Sequence, residues 1–233
     1  MYLIIDTATS ILGLALVDSS GLVGELAWRT NRNHTAELIP SLRYLLKKAT
    51  IELHDLQGIV VARGPGSFTG LRVGMATAKG LAISTGAPLV GISTLEAWAY
   101  PYATTGLAVC PIQEAGRGEL AAALFKWTRG LVDRVMPEHI TTLDDLCPRV
   151  RESTIFCGQV SPDVAARLKE LLGSRALVVE AEHPDPTLLY LGQLGLQKIE
   201  GGRADDPATL EPLYLRRPSI TRPSKAKSGA GQR

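Results

Sequence analysis

Arg63-Gly64-Pro65-Gly66-Ser67-Phe68-Thr69-Gly70-Leu71-Arg72-Val73-Gly74 is a glycine-rich turn between an apolar run and a segment of helical spacing. The run before it, Gly58-Ile59-Val60-Val61-Ala62, predicts a short buried strand. The segment after it predicts a helix over 70–84, closed by Gly86 and Pro88. Strand, glycine loop and helix together leave backbone N–H groups at the helix start that can hold an anion. Residues this small also let another piece of chain come close, so the stretch supports two uses.

Working outward, the start of the chain predicts strands at 2–6, 12–17 and 22–28 joined by short turns, an antiparallel meander. A helix over 35–49 follows, with Leu38, Leu42, Leu45, Leu46 and Ala49 on one face and Pro40 in its first turns. Beyond the glycine loop and its helix comes a strand at 89–92. Ser93-Thr94-Leu95-Glu96 has the form of a capping box opening another helix. The second half repeats the order, with strands at 107–113, 120–127 and 131–136 and a short helix at 142–146. A strand at 154–157, a helix at 162–172, a strand at 176–179 and a helix at 186–199 complete it. Two successive β-β-β-α-β-α units predict a duplicated α/β fold of the actin, sugar kinase and Hsp70 (ASKHA) class. It would have two lobes, each with a mixed sheet and helices. The expected division is a first lobe at 1–103 and a second at 104–216, its last helix packing back on the first, then a disordered basic tail at 217–233.

Composition narrows the classes. The chain has 233 residues, 45% hydrophobic and 21% charged, as expected of a globular protein with a real core. Cys110, Cys147 and Cys157 are too few and scattered for a disulfide frame or zinc ribbon, which predicts reduced thiols. Neither a basic leader nor an uninterrupted apolar span is visible, so the expected location is the cytoplasm, with no membrane partner. The net charge of +2 hides an asymmetry, because residues 216–233 hold six basic side chains and no acid. That tail reads either as an RNA-attracted arm or as a solubilising terminus.

Candidate chemistry is sparse. Asp6, at the end of the first strand, is placed to hold a hydrated Mg²⁺, with Thr7, Thr9 and Ser10 as phosphate donors. Gly66, Ser67 and Thr69 would complete such a site from the glycine loop. Ala8 stands where a glycine would let phosphate approach, and Asp6 and Thr9 bonding their own turn is the alternative. In the second half, Glu114-Ala115-Gly116-Arg117-Gly118-Glu119 reads as a weak anion-binding turn or as a hairpin with an exposed Glu–Arg pair. His34, His54, His139 and His183 are isolated, with no metal-binding spacing, and neither a Gly-x-Ser-x-Gly elbow nor a Gly-x-x-x-x-Gly-Lys loop occurs. The helix over 70–84 is itself poor in bulk, with Gly70, Gly74 and Ala78 at spacing four and Ala76, Gly80 and Ala82 alongside. Close packing is the expected compensation, either against the chain's own sheet or against a partner, with the 35–49 helix beside it.

Several stretches in order along nearly the whole chain resemble the TsaB (YeaZ) family. They are Asp6-Thr7-Ala8-Thr9, His34-Thr35-Ala36-Glu37-Leu38-Ile39-Pro40, the 63–74 stretch, Ala76-Thr77-Ala78-Lys79-Gly80-Leu81-Ala82, Gly118-Glu119 and Glu211-Pro212-Leu213-Tyr214-Leu215-Arg216. Glu114 departs from the aspartate usual in that family. The resemblance implies a non-catalytic subunit of the complex that makes N6-threonylcarbamoyladenosine at position 37 of tRNAs reading codons that begin with A. Its implied partners are the transferase paralogue TsaD, the ATPase TsaE and the tRNA, with homodimerisation in isolation also open. TsaD carries a His-x-x-x-His metal site that this chain lacks, so no metal is expected here, while ATP or ADP and Mg²⁺ would act at the level of the complex. The implied docking face is Thr35, Leu38, Leu42 and Leu45 with Gly70, Arg72, Gly74, Thr77 and Ala78. On that reading Gly74→Leu abolishes partner binding and leaves the monomer folded. A nucleotide-using enzyme built on Asp6 and the 64–69 loop is the alternative. A metalloprotease lacks its ligands.

Overall fold

The computed structural model describes residues 1–31, 33–181 and 188–216. The expected tail at 217–233, the first residues of the 186–199 helix and His183 lie outside them. Sheet one has the order β3-β2-β1-β4-β5, built from β1 (Tyr2–Asp6), β2 (Ile11–Asp18), β3 (Gly21–Arg29), β4 (Gly58–Gly64) and β5 (Leu89–Ser93). Sheet two repeats it as β10-β9-β6-β7-β8, from β6 (Ala108–Gly116), β7 (Glu119–Thr128), β8 (Leu131–Thr141), β9 (Thr154–Gly158) and β10 (Ala176–Val178). In each sheet the meander is antiparallel and the last two strands are parallel, so both are mixed. The duplicated α/β fold predicted from element order is therefore present.

The helices are α1 (His34–Ala49), α2 (Phe68–Thr85), α3 (Thr94–Ala99), α4 (Leu143–Leu146), α5 (Pro162–Leu172) and α6 (Leu188–Glu200). β1 is buried on both faces and reads as a continuous apolar run for that reason. Its Leu3 and Ile5 meet α1 and α2, whereas Ile4 meets Leu188, Leu191 and Leu194 of α6. Sheet two packs one face on α4 and α5 and the other on Leu95 and Trp98 of α3. The inner face of each sheet is thus covered by the helix that ends the other half of the chain. That exchange ties the halves together through apolar burial, worth about 25 cal/mol per Å² removed from water.

Ser93 caps α3, accepting from Glu96 N at 3.4 Å. The expected capping box is only half made, because the buried Glu96 carboxylate accepts from Arg134 Nη2 at 2.5 Å on β8 instead. A carboxylate with an arginine in reach gains more from that charge-assisted bond than from a backbone N–H of its own turn. β8 also runs five residues beyond its predicted end at Met136, and α2 begins two residues before its predicted start.

Candidate functional site

Where the first strand ends, the chain turns through Thr7, Ala8 and Thr9, and α2 begins directly against that turn. Ser67 N donates to Ala8 O at 2.7 Å, and the Ser67 hydroxyl caps α2 by accepting from Gly70 N at 3.3 Å. Thr7 is fully buried, and its hydroxyl donates to Gly70 O at 2.8 Å. A Cβ on Gly66 would lie 2.2 Å from Ala8 O, one on Gly70 2.1 Å from Thr7 O, and one on Gly74 2.2 Å from Thr7 Oγ1. The glycines therefore let α2 lie against the chain's own backbone. Gly64 is needed for a separate reason, its φ of +103°.

This geometry corrects the expected docking face. Gly70, Gly74 and Ala78 are buried against the first lobe, and Leu38, Leu42 and Leu45 belong to its core. None of the six has surface to offer a partner, and Gly74→Leu would collide with Thr7 inside the monomer. Thr35 and Arg72 are exposed and Thr77 half-buried. Exposed on the same two helices are instead Ile39 and Tyr44 of α1 and Ala76, Gly80 and Ile83 of α2.

The phosphate-site residues are likewise only partly assembled. Asp6 is buried, and its Oδ1 accepts from Ala8 N at 2.9 Å. Burial pushes its carboxyl up to about 6, a rise that this one backbone bond only partly opposes. Thr9 Oγ1 accepts from Ile11 N at 3.1 Å, so both side chains serve the turn they sit in. Thr7 has no hydroxyl to spare for phosphate. Gly66, Ser67 and Thr69 are exposed, and Thr9, Gly66 and Ser67 line a cleft between the lobes of about 1030 Å³. Gln113, Glu114 and Gln159 line it from the second lobe, and residues 213–216 border it as well.

At the second lobe's hairpin the expected Glu–Arg pair takes a different form. Glu119 pairs with Arg216, which also donates from Nη1 to Ala115 O at 3.0 Å. Residues 205–216 carry no helical or strand periodicity, so this contact had no sequence signal beyond the family motif. Among the described residues, no group of three or more His, Cys, Asp or Glu side chains could hold a metal, and no helix is long and apolar enough to cross a membrane. Cys110, Cys147 and Cys157 are free and buried, and burial raises all three thiols.

The family model described as TsaD, tRNA N6-adenosine threonylcarbamoyltransferase, matches residues 18–218. The Bacillus subtilis tRNA threonylcarbamoyladenosine biosynthesis protein TsaB is 31% identical over 92% of this chain and 93% of its own. The chain belongs to the TsaB (YeaZ) family. Its Escherichia coli relative of the same name is 39% identical over 40% of each chain. In the solved structures, YeaZ from Pseudomonas aeruginosa has the same fold. It has a TM-score of 0.74 at 20% identity over 91% of this chain and 99% of that one. Gly66, Ser67, Gly70 and Gly74 are the residues of the 63–74 stretch that pack α2 on the turn after β1. In this TsaB-family chain the glycine motif is first a packing motif.

Proposed function

We propose that this chain is the non-catalytic partner subunit of a TsaD-type transferase. In that role it is required for N6-threonylcarbamoyladenosine formation at position 37 of tRNAs reading codons that begin with A. The observation that carries the reading is the outer face of α1 and α2. Ile83 is 72% exposed, Tyr44 54% and Ile39 46%. On α2, one turn before Ile83, Gly80 sits in mid-helix with nothing within 4 Å of where its Cβ would be. A glycine there costs roughly 1 kcal/mol relative to alanine, and nothing within the chain requires it. Close approach by a second chain does, and an exposed apolar side chain one turn from a small residue is what such a contact uses. TsaE, tRNA, and ATP or ADP with Mg²⁺ then act on the assembled complex in the cytoplasm, and self-pairing through the same face accounts for a homodimer in isolation.

The test is co-purification with the TsaD-family transferase of the same organism, followed by reconstitution of tRNA modification. Ile83→Arg is expected to weaken the complex by about 30-fold or more, because it places a charge in the apolar contact. Its melting temperature should stay unchanged, since the side chain is exposed, and modification should fall with complex formation. Undiminished affinity would sink the docking face.

A second reading, a nucleotide-binding ASKHA-type protein, is favoured by Asp6 alone. A buried carboxylate held well above its ordinary range beside a cleft is the sort of group a ligand or cation would use. Calorimetry of the isolated chain with ATP and Mg²⁺ decides it. Micromolar binding lost in Asp6→Ala supports it, and an absence of heat with the wild type removes it.

A further inference from the structure

After α6 the described chain runs back along the first lobe and reaches the second at Arg216. Asp205 N donates to Leu89 O at 2.7 Å, and the Asp205 carboxylate accepts from Gly91 N at 2.8 Å. Leu210 is buried in the first lobe's core, and Leu213 N donates to Arg63 O at 2.6 Å. To this point main-chain bonds and burial fix the segment. Past it the described contacts belong to side chains. The Tyr214 ring lies 5.0 Å from that of Phe68, and its hydroxyl accepts from Arg72 Nε at 3.1 Å. The Arg72 guanidinium sits 4.0 Å from the centre of the Phe68 ring. Arg216 then crosses to the second lobe, where it meets Ala115 O and Glu119.

We propose that residues 213–216 form a latch between the two lobes at the cleft, and that docking on α2 releases it. Two observations on the molecule point there. The grip on the second lobe is weak, because Arg216 and Glu119 are both more than one-third exposed and exposed ion pairs hold poorly. The setting of the latch is also shared with the exposed face of α2. Arg72, Ala76, Gly80 and Ile83 recur at spacings of four, four and three, so Arg72 begins the same stripe. A chain that covers the stripe competes for the Arg72 guanidinium, Tyr214 loses its hydrogen bond, and Arg216 is freed two residues on. The release step rests on the docking reading above, whereas the latch itself does not. By linkage, a change that opens the latch strengthens docking, by at most the factor with which docking favours the open latch.

The test uses the full chain with spin labels on Ser10→Cys and Glu114→Cys, exposed positions on opposite lobes at the cleft. The three native cysteines are buried and leave the label to the introduced pair. Double electron–electron resonance should give a longer and broader distance distribution for Arg216→Ala and for Tyr214→Ala than for the parent. An unchanged distribution in Arg216→Ala overturns the latch, and a change in Arg216→Ala without one in Tyr214→Ala overturns its setting through α2. Arg216→Ala should also bind the TsaD-family transferase more tightly, by up to about fivefold. Equal affinity overturns the coupling. If neither chain binds the transferase, the docking reading fails together with the release step, and the label distances still judge the latch.

Discussion

Gly70→Val should cost the fold about 3 kcal/mol or more, at the upper end of what overpacking does, while Gly80→Ala in the same helix should stabilise it by about 1 kcal/mol. At Gly70 the obstacle is the Thr7 carbonyl oxygen, 2.1 Å from the new Cβ, and backbone at the end of β1 cannot swing aside as a flexible side chain would. The helix would have to lift off the sheet. That movement would also break the bond from the Thr7 hydroxyl to Gly70 O and disturb the Ser67 cap. At Gly80 a methyl group meets nothing, and alanine restores the helix propensity that glycine forfeits. Urea denaturation of the two variants beside the parent measures both signs. Equal, small effects would mean that α2 does not rest on the 7–9 turn as described. The pair also separates two roles within one helix, since Gly70→Val should fail as a monomer whereas Gly80→Ala should fold better and dock less well.

The same helix shows where sequence reading stops. Both repeats of strands and helices were legible because the apolar runs, their spacing and the turns between them are local signals. The side that α2 turns inward was not. Gly70, Gly74 and Ala78 form one small-residue stripe and Ala76 and Gly80 another on the opposite side, and residues so small give hydrophobic periodicity little contrast. Only the 7–9 turn, more than sixty residues earlier, decides between them. Leu38, Leu42 and Leu45 were visible as an apolar stripe, and such a stripe marks the core before it marks a partner. Glu96 read as a capping residue because its acceptor role is local in sequence, whereas Arg134, its partner in the fold, is 38 residues away. The 205–216 segment lies flat on other elements and has no period of its own, so its crossing between lobes was beyond any pattern.

Asp6→Asn should make the protein more stable above pH 7 and leave it little changed near pH 4. The native carboxyl titrates at about 6 against an ordinary 3.8, so the folded state keeps a proton that the unfolded chain has already lost. Its contribution is complete below pH 3.8 and is lost as pH rises through 6. Above that the ionised, buried group costs the fold about 3 kcal/mol, at 1.36 kcal/mol for each unit of difference. Asparagine keeps the acceptor for Ala8 N and carries no charge to desolvate. Its buried N–H groups return part of the gain, which leaves an expected benefit of about 1–3 kcal/mol. Urea midpoints between pH 4 and 8 should fall with pH in the wild type and stay nearly flat in the variant. Parallel curves would show that Asp6 is not the group responsible. The buried Asp6 carboxylate is where the two readings of function part. If a nucleotide and Mg²⁺ bind there, adding them at pH 8 should recover the lost stability in the wild type and do nothing for Asp6→Asn. If the subunit only docks, neither protein should respond, and the carboxylate stays in place for its bond to Ala8 N, which shapes the turn that α2 packs against.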